Sequence, residues 1–138
     1  MKNYLNKNVI KHIEKEYGVE ITYCSEEMHG KVEDKAFSTY GEIYLGKYSN
    51  EKIEALCLFH ELGHIVSNRN KSNKTYICTL SQECIAWETA IELLIKHKDI
   101  FNFDLDNYYG EELTFMRKCL KSYFDSEYNE LIRMHKQG

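Results

Sequence analysis

One stretch constrains this chain more than any other: residues 51–67, which read EKIEALCLFHELGHIVS. Ala55, Leu56, Cys57, Leu58 and Phe59 are apolar on every side of a helix, so the segment predicts a central buried helix. Ser49 or Asn50 can cap its start, and Glu51 sits in the first turn, where the helix dipole favours a carboxylate. The same helix carries His60, Glu61 and His64. Burying two imidazoles and a carboxylate is costly unless each finds a partner. Gly63, in mid-helix, costs about 1 kcal/mol relative to Ala and signals a close approach by another group.

The surrounding pattern predicts an α+β chain. Leu5, Val9, Ile10 and Ile13 have helical spacing within residues 3–17, and Gly18 is placed to end that helix in a left-handed conformation. Val19 to Tyr23 alternates as a strand does. Residues 24–35 read as polar turn, Ala36 to Tyr40 as a second strand, and Gly41 to Leu45 as a third. The expectation is a small antiparallel sheet of about three short strands packed on a mostly helical domain. A helix capped by Thr79 or Ser81 should run to near Lys98, another from about Asp106 to Phe124, and a short last one from Glu127 to Met134. The 138 residues suit a single domain, 1–138, with no linker and no repeat.

Composition narrows the function. The net charge is −4, which argues against nonspecific binding to nucleic acid or to an anionic membrane. No window approaches the roughly 18 apolar residues of a membrane span, and Met1 to Lys7 is too polar for a signal peptide. The five cysteines are odd in number and lack C-x-x-C spacing, so a disulfide framework is not expected. Cys57 and Cys84 read as small buried hydrophobes. Together these features point to the cytoplasm.

The chemistry lies in His60-Glu61-Leu62-Gly63-His64, an H-E-x-x-H motif. Residues i and i+4 are about 6 Å apart along a helix and about 40° apart around it, so two imidazoles can converge on one zinc ion. Glu61 projects near enough to hold the zinc's water and to take its proton. A catalytic zinc needs a third protein ligand. Glu83 and Glu88 are the candidates, and five residues of helix is about 140° of net rotation, so both cannot face the metal. Glu83 shares its face with Ala86, Trp87, Ala90 and Leu94, which can pack on the metal helix. Glu88 shares its face with Glu92, which reads as solvated.

These residues resemble the ImmA/IrrE-type metallopeptidases, small gluzincin-like enzymes of bacteria, phages and mobile elements. The likeness rests on His60 to His64 and on Glu83-Cys84-Ile85-Ala86-Trp87-Glu88-Thr89-Ala90, and covers about residues 40–96. It implies a zincin-like domain in which His60, His64 and Glu83 hold Zn2+ and Glu61 is the catalytic base. It also implies a zinc-dependent endopeptidase whose substrate is a helix-turn-helix repressor of a mobile element or stress regulon, acting in trans. Many members carry Asn or Asp four residues after the ligand glutamate, where it orients a histidine; here that position is Trp87.

Further expectations attach to this reading. Tyr76, His97, Tyr108 and Tyr109 are candidate donors to the tetrahedral oxyanion. Gly41 to Leu45 is a candidate edge strand for pairing with an extended substrate. The aromatic residues of 99–124 read as a core-covering helix or, alternatively, as a partner groove. His12, His29 and His135 read as solvated. The Trp87 departure favours a second function, a weak or inactive peptidase fold that inactivates a regulatory or toxin partner by binding. A third, a closed structural zinc site, requires Cys57 as fourth ligand.

Overall fold

Asn6 and Gly18 bound the first helix, and both act locally. The Asn6 side chain accepts from the Val9 N–H at 3.0 Å, and Gly18 adopts φ 62°, ψ 47°. That left-handed geometry is unstrained only without a Cβ. The computed structural model describes residues 4–23, 31–34, 41–46, 50–69 and 79–137. Among them, helix α1 is Lys7–Tyr17, strands β1, β2 and β3 are Val19–Tyr23, Lys31–Asp34 and Gly41–Leu45, and helices α2, α3 and α4 are Glu51–Arg69, Thr79–Lys96 and Glu111–Gln137.

Helix α2 is the central element. Asn50 caps it, its side-chain oxygen accepting from the Lys52 N–H at 2.9 Å. Ala55, Leu56, Leu58, Phe59, Leu62 and Ile65 are fully buried, as their all-round apolar placement requires. The helix touches β2, β3, α3 and α4. Its last residue, Arg69, donates to the carbonyls of Tyr17 and Gly18, tying the end of α2 to the cap of α1.

The sheet is mixed, in the order β1-β3-β2, and this corrects the antiparallel expectation. β1 runs parallel to β3, pairing Val19 with Gly41 and Tyr23 with Leu45, while β2 runs antiparallel to β3. Ile43 and Leu45 are fully buried beneath α2. β2 lies at Lys31–Asp34, inside the stretch read as turn. The strand expected at 36–40 lies outside the described residues.

Helix α3 begins at Thr79, so Ser81 lies inside its first turn rather than ahead of it. Helix α4 starts at Glu111 rather than near Asp106. Asp104 accepts from the N–H groups of Asp106 and Asn107, both at 3.2 Å, and Asn107 accepts from Tyr109 at 3.1 Å. Such side-chain turns offer the backbone an alternative to a helix. Glu112, 2% exposed, then pins the helix start by accepting from the Asp104 N–H at 2.7 Å and facing Lys52 at 3.4 Å. α4 continues unbroken where a short fifth helix was expected, with Lys121 and Asp125 bridged at 2.7 Å across the junction. Phe101, Phe103 and Met116 are buried, so this region does cover the core.

Candidate functional site

Two helix backbones nearly touch at Gly63. A Cβ at that position would run into the carbonyl oxygen of Ala86, so only glycine allows α3 to lie this close. The close approach decides which α3 residues reach the histidines. Glu83 and Trp87, one turn apart on α3, both arrive there, with Ala86 and Ala90 packed between the helices.

His60, His64 and Glu83 bring three potential ligand atoms within 4.8 Å of one another. One carboxylate oxygen of Glu83 lies 2.6 Å from His60 Nε2 and the other 3.2 Å from His64 Nε2. Glu61 lies beside them, its Oε1 3.9 Å from His60 Nδ1. Glu88 and Glu92 are exposed on another face of α3. Cys57 is half-buried against the core and is no part of the donor cluster. Two imidazoles and one carboxylate are a donor set that suits zinc, so the residues present fit that metal.

The two carboxylates are pushed in opposite directions. Burial raises the Glu61 pKa to about 7; His64 opposes this and the negative charge of Glu83 adds to it. Burial also acts to raise Glu83, but hydrogen bonds and charge from His60 and His64 outweigh it and hold the group down at about 2. Neighbouring carboxyl groups driven apart in this way can divide roles, one holding a proton near neutral pH and one remaining a permanent anion.

Trp87 meets His60 through its ring face and not through a hydrogen bond. Its indole lies flat on the His60 ring, with centroids 4.3 Å apart and planes 5° apart. A metal-ligating histidine usually donates its second ring N–H to an oxygen, which fixes the ring. Here Glu61 at 3.9 Å is beyond hydrogen-bond reach of that nitrogen, and the stacked indole holds the ring by its face. The Trp87 N–H is itself buried without a partner among the described residues. An orphaned donor of this kind costs roughly 1–3 kcal/mol, which the ring contacts must offset.

The expected oxyanion donors are not assembled here. Tyr76 lies outside the described residues. Tyr108 and Tyr109 are 59% and 86% exposed, with Tyr108 stacked under the Arg117 guanidinium. His97 belongs to another group, its Nε2 2.6 Å from the Tyr17 hydroxyl. The hydroxyl that does reach the site is that of Tyr123 on α4. Its pKa is raised by burial and then by the negative charge of Glu83. Only the helical register Met116–Cys119–Tyr123 could have indicated it, because Cys119 on the same face also feels the charge of Glu83.

Two other expectations fail. β3 is the central strand, so Gly41 to Leu45 is no edge for a substrate to extend. Cys84 is exposed, because it lies on the face of α3 turned away from α2. No helix among the described residues is long and apolar enough to cross a membrane. No family model matches the chain, and neither does any curated protein or solved structure.

Proposed function

We propose that this chain is a cytoplasmic zinc-dependent endopeptidase of the ImmA/IrrE type, with a zincin-like core formed by α2 and α3. The observation that carries the reading is the convergence of His60, His64 and Glu83 from two helices, with Glu61 alongside. Those three residues would hold the metal. When bound, zinc would polarise a peptide carbonyl and acidify water in the position left open by three protein ligands.

The chain's own groups supply the remaining steps. Glu61 takes a proton at its carboxylate and later gives it to the departing amine, a role matched to a pKa near the working pH. Glu83 stays ionised beside the imidazoles. The Tyr123 hydroxyl, which senses the charges of Glu83 and Glu61, is the neutral donor we assign to the substrate's carbonyl oxygen. Trp87 keeps the His60 ring from rotating. The substrate we infer is a helix-turn-helix repressor supplied in trans, on the strength of the resemblance carried by residues 60–64 and 83–90.

The test is cleavage of a co-expressed repressor by wild type and by Glu61→Gln. The variant should retain zinc and lose turnover. Cleavage at the wild-type rate by Glu61→Gln would refute the mechanism. One observation favours a second reading, a binding module of low activity: Trp87 stacks on His60 where a hydrogen bond would raise ligand basicity. On that reading, wild type and Glu61→Gln release the partner intact and equally well.

A further inference from the structure

We propose that His12, Glu16 and His97 form a second divalent-cation site, of the zinc, nickel or copper class, clamping α1 to the end of α3. His12 and Glu16 are one turn apart on α1, which puts both side chains on one face. His97 follows the last residue of α3 directly and is 10% exposed, so its ring is held by the fold. Glu16 Oε2 lies 3.5 Å from His12 Nε2 and 3.2 Å from His97 Nε2. All three donors fall within 4.8 Å of one another.

Those spacings suit a small cation. With ligand bonds of about 2.0–2.2 Å, neighbouring donors around a tetrahedral ion stand roughly 3.3–3.5 Å apart. Two imidazoles with a single carboxylate select borderline metals over calcium or magnesium, which prefer oxygen donors alone. The site also opens to water, because the His12 side chain is 58% exposed.

Two features weaken it, and both are specific. The Tyr17 hydroxyl lies 2.6 Å from His97 Nε2, so a cation on that nitrogen must displace this hydrogen bond. Lys96 Nζ lies 3.3 Å from the other oxygen of Glu16 and repels an incoming cation. Lys96 is 59% exposed, so it can turn to solvent by giving up its contacts with Glu16 and the Tyr17 ring. The site therefore binds more loosely than a buried one would, and Lys96 sets its affinity.

The claim is independent of the proposed peptidase activity. The experiment is equilibrium dialysis of the full chain against micromolar Zn2+, and separately Ni2+, with bound metal counted by mass spectrometry. His12→Ala, on an exposed side chain, should bind one equivalent fewer than wild type, and Glu16→Gln likewise. His64→Ala should keep this equivalent whether or not the buried cluster takes metal. Lys96→Gln should tighten binding severalfold. If His12→Ala and Glu16→Gln match wild type in stoichiometry and affinity, the inference is overturned. Wild type and His12→Ala binding one ion each would overturn it equally.

Discussion

Two histidines and a glutamate meet at two places in this molecule, with the same residue types and similar spacing. At His60, His64 and Glu83 the side chains are at most 20% exposed, and a second carboxylate, an indole and a tyrosine surround them. At His12, Glu16 and His97 two of the three residues are exposed, and the surrounding groups are a lysine and a tyrosine. The donor set is thus common to both, and the difference lies in what stands around it. Burial strengthens each charge interaction and makes an unpartnered polar group expensive. Among the described residues, the inner cluster has a further carboxylate, Glu61, beside its three donors.

The largest effect should separate the clusters outright. Glu83→Ala should abolish retention of zinc by the inner cluster after dialysis, and turnover with it. Metal content and repressor cleavage, measured on the same preparation, would check both. A variant that keeps its zinc would show that the inner triad is not the ligand set.

Next comes a pH effect peculiar to the inner cluster, read on metal-free protein. Glu61 has a folded pKa near 7 against an ordinary 4.5, so it stays protonated in the fold while the unfolded chain ionises. Its contribution to stability is therefore lost as pH rises from about 4.5 to 7, by up to about 3 kcal/mol. Glu83, held near 2, has the opposite sign: its contribution is present above 4.5 and disappears as pH falls toward 2. Urea unfolding at pH 5 and pH 7 should show that Glu61→Gln removes the loss on the neutral side. An unchanged slope would mean that Glu61 is not desolvated.

Gly63→Ala should cost about 2 kcal/mol by forcing α2 and α3 apart, read as a lower thermal midpoint. A neutral result would deny the close contact that assembles the inner cluster. Trp87→Leu should weaken zinc binding roughly tenfold, the lower end of what ligand-orienting groups contribute, and Trp87→Phe should restore most of it. Equal affinity in all three proteins would mean that stacking does not position His60. The smallest effect belongs to the outer cluster: His12→Ala should change metal-free stability by less than about 0.5 kcal/mol in chemical unfolding, as exposed sites do.

What the sequence made legible was local. The caps Gly18 and Asn50 act within a few residues of themselves, so composition and position sufficed, whereas the Asn6 cap of α1 emerged only in the structure. The choice of Glu83 over Glu88 followed from helical rotation and the small residues Ala86 and Ala90, and the structure brings Glu83 to the histidines. The remainder depended on contacts distant along the chain. Whether β1 pairs parallel or antiparallel with β3 is decided by the path between them, which no alternation pattern encodes. Tyr123 falls within the helix expected to end near Phe124, but its approach to Glu83 depends on how α4 packs on α3, which helical spacing alone does not encode. The outer cluster joins residues of α1 to a histidine 80 or more positions later, and nothing near His12 or Glu16 announces it.

The stacking of Trp87 on His60 has a consequence for how the protein can be watched. The chain has one tryptophan, so its indole fluorescence comes from a single point, 4.3 Å from a candidate metal ligand. Occupation of the inner cluster by a paramagnetic ion such as Co2+ or Cu2+ would quench that emission, while a cation at the outer cluster would leave it far less altered. The molecule thus carries an unlabelled optical gauge of its own inner site, able to report loading and release in real time and in native solution.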